Sequence, residues 1–192
     1  MFTRVDPRTL KWVHKPELYI VKEDRIVLET EPYTDIIPSR KGAEAIQMAL
    51  VPKGNFYFTM RVDYKYHAMF DQCGLILYKG DERKMILSTQ YRNNEVQRLQ
   101  STVFYNGSGD RSVRDIGTAI DHMYYRIWYR RGACTLQYSF NGKVYTDLRK
   151  FMIQPLDDLI YLGIFACSPG DSYFDCTFSN MTLEEHKEET KK

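Results

Sequence analysis

The 192-residue sequence predicts an all-β fold with two packed sheets, on three observations. Apolar side chains recur at every second position over long stretches, the period of a strand with one buried face. Turn-forming clusters break the chain at short intervals, as in sandwiches. No segment carries apolar residues at helical spacing over several turns.

The clearest alternation runs through 55–67. Phe56, Phe58, Met60, Val62, Tyr64 and Tyr66 share one side, opposite Tyr57, Thr59, Arg61, Asp63 and Lys65. Cys134, Leu136, Tyr138 and Phe140 alternate in the same way, and Asn141-Gly142 follows directly. Asn-Gly takes positive φ readily, so a two-residue hairpin into 143–148 is expected there. Further strands are predicted over 18–22, 25–29, 44–51, 72–78, 84–92, 98–106, 124–131, 159–167 and 172–183. Asn93-Asn94, Asn106-Gly107-Ser108-Gly109-Asp110, Arg131-Gly132 and Ser168-Pro169-Gly170-Asp171 supply turns between them. The 44–51 stretch has helix-friendly residues without a helical stripe. In 160–166 both faces are apolar, which places that strand inside a sheet or on a cavity floor. With no repeat and no linker, residues 1–183 read as one domain, and the charged run 184–192 as a solvated tail.

Composition excludes several function classes. Lys plus Arg is 27 against 25 for Asp plus Glu, a net charge of +2, so no electrostatic footprint for nucleic acid or an anionic membrane is expected. Aromatic residues make up 14% of the chain, far too much for a disordered tail. The chain begins without a basic and apolar leader, and no apolar run is long enough to span a bilayer. Cys73, Cys134, Cys167 and Cys176 stand singly among apolar residues and read as buried thiols of a reducing, cytoplasmic setting. No Cys or His spacing suits zinc, so neither metal nor cofactor is expected.

Motifs for catalysis are missing. There is no nucleophile elbow, phosphate loop or His-Glu-x-x-His pair. A strand-borne carboxylate pair across a cleft, which glycoside hydrolysis needs, is also lacking, because the acids gather in turns and in the tail. The polar faces of the predicted strands instead collect Tyr57, Arg61, Gln72, Gly74, Tyr78, Ser88, Gln90, Arg92, Arg126 and Trp128. Amides and guanidiniums that fork onto hydroxyl pairs, with aromatic plates beside them, suit a sugar ring. Any half-exposed sheet also turns polar residues outward. Gly74 adds a strand position where a ligand or a second backbone can approach.

Phe70-Asp71-Gln72-Cys73-Gly74-Leu75-Ile76-Leu77 resembles the Asp-Gln-x-Gly-Leu strand of a family in the concanavalin A-like lectin/glucanase superfamily, grouped with a yeast regulation-of-enolase protein. The likeness extends from about 55 to 183. It includes Ser101-Thr102-Val103, Gly109-Asp110-Arg111-Ser112, Arg126-Ile127 with Arg130-Arg131-Gly132, Tyr138-Ser139-Phe140-Asn141-Gly142 and Leu162-Gly163-Ile164-Phe165-Ala166-Cys167-Ser168-Pro169. The resemblance implies a jelly-roll sandwich with a concave sheet, in a superfamily of sugar binders and glycan-cleaving enzymes. Where the family has Trp-x-Lys-x-Gly-x-Glu, this chain has Lys84 to Gln90, with Ile86 for the Lys and Gln90 for the Glu. Gln cannot ionise, so an acid-dependent activity of the family would be lost here.

The expectation is therefore a non-catalytic, lectin-like sandwich binding a carbohydrate or small polar ligand on its concave sheet. Gln72, Gln90 and Arg126 would orient hydroxyls, Tyr78 or Trp128 would stack, and Asp110 on a glycine-rich loop would close one end. Two alternatives stand beside it. One is a protein-interaction module regulating a metabolic enzyme; the other is an enzyme related to glycoside hydrolases.

Overall fold

The computed structural model describes residues 3–37, 42–79, 83–105, 108–153 and 159–186. The strands in chain order are β1 (Thr3–Arg4), β2 (Lys11–His14), β3 (Tyr19–Val21), β4 (Arg25–Glu29), β5 (Thr34–Asp35) and β6 (Ala43–Glu44). Next come β7 (Ile46–Leu50), β8 (Asn55–Tyr64), β9 (Gln72–Lys79), β10 (Arg83–Tyr91), β11 (Val96–Tyr105) and β12 (Ser108–Gly117). The last are β13 (His122–Arg130), β14 (Ala133–Ser139), β15 (Thr146–Met152), β16 (Tyr161–Cys167) and β17 (Asp175–His186). No α-helix occurs among the described residues, and none is long and apolar enough to cross a membrane.

Two antiparallel sheets stack into a sandwich, as the alternation predicts. One has eight strands, in the order β15-β14-β13-β8-β17-β4-β3 with β1 also pairing β17; the other has seven, in the order β12-β11-β10-β9-β16-β7-β2. Their facing sides form one core. Phe56, Phe58, Met60 and Val62 of β8 and Met123, Tyr125 and Ile127 of β13 share it with Leu75, Leu77, Leu87, Leu99, Leu162 and Ile164 from the other sheet. Each such side chain contributes on the order of 1.5–3 kcal/mol by leaving water. The strand β16 lies between β9 and β7 and is buried on both faces, which its doubly apolar sequence predicts.

The second face of β16 packs under a separate apolar cluster. Ile76, Ile86, Phe165 and Cys167, on the outer face of the seven-stranded sheet, meet Ile36 and Ala45. The latter two flank β5 and β6, a short parallel pair, and Pro32 bridges to Ser168. The middle of this outer face is thus covered.

Several expectations need correction. Asn141-Gly142 does not form a two-residue hairpin: Tyr138 pairs Thr146, leaving a wider loop in which the Asn141 carboxamide accepts from the N–H groups of Lys143 and Val144. The tight turn is Arg131-Gly132, with φ of +48° and +83° between paired Arg130 and Ala133, and Asn55 accepting the Arg131 N–H. Residues 108–117 form a strand rather than a turn followed by loop. Their side chains lie almost entirely in water, so no apolar alternation marks them. The last strand continues through Glu184, Glu185 and His186, which pair Tyr57, Phe56 and Asn55, so the charged run does not fray at 184. All four cysteines are buried and unpaired, and burial pushes the Cys134 thiol up to about 12.

Candidate functional site

The six singled-out residues do not share one hollow. Gln72, Tyr78 and Gln90 lie on the outer face of the seven-stranded sheet, where Gln72 pairs Gln90 across β9 and β10. Arg126 and Trp128 project from β13 on the outer face of the eight-stranded sheet, opposite Thr59 and Tyr57 of β8. The whole core separates the two groups. Period two tells which residues share a side of a strand, but two sheets facing one core send their polar sides in opposite directions.

Two further placements differ from expectation. Tyr78 is six residues from Gln72 along β9, about 20 Å, too far to stack on a sugar that Gln72 holds. Its ring lies parallel to that of Tyr161, with centroids 4.9 Å apart. Asp110 sits in β12 rather than in a loop, and its carboxylate takes the guanidinium of Arg149 from β15 at 2.5 Å. That pair ties the edges of the two sheets together and directs Asp110 away from the outer face. Gly74 is explained by backbone approach: a Cβ there would lie 2.1 Å from the Leu87 carbonyl oxygen.

The sheet does assemble a polar floor around Gln72 and Gln90. Register brings Ser88 and Gln100 together across β10 and β11, and places Thr102 opposite Arg111 of β12. The Gln100 Nε2 donates to Gln72 Oε1 at 3.0 Å and to Ser88 Oγ at 3.3 Å. Gln72, Ser88, Gln90, Gln100 and Thr102 are all at most 5% exposed. Three of their polar atoms nevertheless have no hydrogen-bond partner among the described residues: Gln90 Oε1, Gln100 Oε1 and Thr102 Oγ1. Each such atom costs about 1–3 kcal/mol if it is left unsatisfied.

Charged groups ring this floor. Arg98, opposite Gln90, pairs Asp115 at 3.4 Å; Glu44 lies 3.1 Å from His14 and 3.8 Å from Lys84. Asp35 is half-buried, accepts the Ile36 N–H at 2.7 Å, and lies within electrostatic reach of Arg111. Burial is the largest influence on it and raises its pKa above the ordinary 3.8, against the opposing pull of the Ile36 N–H and Arg111. The Cys167 thiol, opposite Gln72 on β16, is held well up by burial and is an inert wall. Towards β12 the face opens to water, with Val113 and Asp115 exposed.

A pH prediction follows from Asp35. A carboxyl whose folded-state pKa is raised favours folding while protonated, and that advantage is lost as pH rises through the folded value. Asp35→Asn, neutral throughout, is expected to raise Tm at pH 7 by roughly 1–2 °C, small because partial exposure screens the charge. The difference should vanish below the ordinary 3.8. Paired thermal melts at pH 7 and pH 3 measure it, and a lower Tm for the variant at pH 7 would show that the Arg111 attraction outweighs burial.

Gln100, Thr102 and Asp35 were not apparent from the sequence. Gln97-Arg98-Leu99-Gln100-Ser101-Thr102 is polar on both sides, so the face of Gln100 cannot be read from alternation. Asp35 reaches the sheet only through the crossing of β5 and β6.

Comparisons with known proteins agree with this architecture. Among curated proteins, none matches the sequence. A functionally unknown protein from Saccharomyces cerevisiae superposes with a TM-score of 0.85 at 21% identity, over 96% of this chain and 100% of that one. The GH43 protein BlXynB from Bacillus licheniformis gives 0.71 at 12% identity, over 93% of this chain and 37% of that one. A xylan β-1,4-xylosidase from Bacillus halodurans gives 0.65 at 13%, over 84% and 33%. The chain thus spans about a third of those two longer proteins, and at these identities the likeness establishes the fold alone, a two-sheet β-sandwich. Residues 12–186 match the family described as protein of unknown function, DUF1349, and the chain belongs to that family.

Proposed function

We propose that the protein is a non-catalytic saccharide-binding sandwich whose ligand rests on the outer face of the seven-stranded sheet, at its open β10–β12 side. The observation that carries this is the set of buried acceptors without partners, Gln90 Oε1, Gln100 Oε1 and Thr102 Oγ1. A ligand rich in hydroxyl donors would satisfy them once the side chains that cover them give way, and neutral polyols do so without placing charge in a dry site. Gln72 then acts through Gln100, orienting its amide, while Arg98 and Arg111 flank the ligand. The same sandwich recurs within a chain named as a xylan β-1,4-xylosidase, which favours a saccharide over other polyols.

Catalysis is not part of the proposal. Gln90 offers no proton, and the rim carboxylates Asp115 and Glu44 are engaged with Arg98, His14 and Lys84. A regulatory role towards a metabolic enzyme rests on the sequence resemblance alone.

The test is a glycan array followed by calorimetry on xylo-, gluco- and manno-oligosaccharides, using the wild type and a Gln90→Met, Gln100→Met double variant. A ligand should emerge whose affinity falls at least about tenfold in the variant, the loss expected for two hydrogen bonds. Failure to bind any glycan at millimolar concentration, or an affinity the variant leaves unchanged, would remove the proposal.

A further inference from the structure

The outer face of the eight-stranded sheet carries a second arrangement, built around Arg126. Its guanidinium carbon lies 3.2 Å from the ring centroid of Tyr145, which folds over it from the loop before β15, and 4.9 Å from that of Tyr57 on β8. Two aromatic rings thus pack against the guanidinium. Trp128 stands two residues along the same strand, half exposed, with its indole edge-on to Tyr57 at 6.1 Å.

The neighbouring charges are already matched. Arg61 pairs Asp63 at 2.5 Å, Lys150 pairs Asp147 at 2.9 Å, and Glu184 lies 3.7 Å from His186. Gln137, opposite Arg126 on β14, donates to Asp147. Arg126 has no ion-pair partner among the described residues, and its Nε–H is buried without an acceptor. A guanidinium packed against two rings has lost much of its rotamer freedom in advance, so a planar oxyanion meeting it does not bear that ordering cost. Its fork matches a carboxylate.

We propose that this face is a second binding site, for a carboxylate-bearing pyranose such as a hexuronic acid residue. The carboxylate bonds the terminal Nη groups of Arg126, since its Nε is buried, and the ring's C–H face lies on Trp128. The two residues are about 6.8 Å apart along the β13 backbone, on one face, a spacing on the scale of one pyranose ring and its carboxylate. The site is independent of the glutamine floor, which lies on the far sheet.

The two tryptophans, Trp12 and Trp128, provide the readout. Trp12 packs against Tyr19 at the sandwich edge and serves as an internal control of folding. Methyl β-glucuronoside, methyl β-glucoside and sodium acetate are titrated separately into the whole protein while the indole N–H resonances are followed. The Trp128 signal should move saturably with the glucuronoside, at least about tenfold more weakly with the glucoside or acetate, while Trp12 stays in place. Arg126→Lys keeps the charge and loses the fork, and should weaken the glucuronoside about tenfold. Rising salt should weaken it as well. No movement of Trp128, equal affinity for glucoside or acetate, or indifference to Arg126→Lys would overturn the proposal. Tighter binding of a glutamate-containing peptide than of the glucuronoside would also overturn it, in favour of a protein partner.

Discussion

Gly74→Ala and Gly163→Ala are each expected to destabilise the fold by about 3 kcal/mol or more, which lowers Tm by roughly 6–12 °C in a chain of this size. The reason is contact with fixed backbone. A Cβ at 74 would lie 2.1 Å from the Leu87 carbonyl oxygen and 2.8 Å from the Ser88 Cα; one at 163 would lie 1.9 Å from the Met48 carbonyl oxygen and 2.7 Å from the Ala49 Cα. No rotamer change relieves such a clash, because neither neighbour is a side chain. The strand pairs β9–β10 and β16–β7 would have to part, and both lie within the sheet that bears the glutamine floor. Gly117→Ala and Gly170→Ala serve as controls, since a Cβ at either meets nothing within 4 Å. They should be neutral or gain a few tenths of a kcal/mol through the unfolded state. Thermal melts of the four variants measure the contrast, and equal effects at all four positions would show that sterics at Gly74 and Gly163 do not govern the sheet.

Gly74 also shows how far the sequence reaches. A glycine inside a strand signals close approach, and the chain could not say whether by ligand or by backbone. The pairing with β10 answers that, and it is a tertiary fact. The strands themselves were largely legible, because a core between two sheets imposes alternation on every strand that touches it, as in 55–64. Where a strand gives the core almost nothing the signal disappears, and in β12 only Ile116 packs against it. Sheet membership was illegible for a deeper cause. Gln72 and Arg126 occupy equivalent outward positions in their own strands, and nothing in either strand records on which side of the core it lies. The floor around Gln72 and Gln90 survives because those two are direct neighbours across a hairpin, whereas its extension to Gln100, Thr102 and Asp35 depends on register and on a crossing segment.

Gln72 and Gln90 are cross-strand partners of the same residue type and nearly equal burial, yet truncating their polarity should shift stability in opposite directions. Gln90 Oε1 is buried without a partner, so Gln90→Met, which keeps the volume, removes a desolvated carbonyl and no internal bond. A gain of about 1 kcal/mol is expected, or roughly 2–4 °C in Tm. Gln72 Oε1 accepts from Gln100, so Gln72→Met takes away a made bond, and a loss of about 1–2 kcal/mol should result. A site kept ready for a ligand gives this pattern, because the unmatched acceptor is tolerated for binding at the expense of the empty fold. Urea melts of the two variants decide the matter without any knowledge of the ligand. Should Gln90→Met also destabilise, its carbonyl is already satisfied within the folded protein, and the floor is a structural network rather than a receptor for hydroxyl groups.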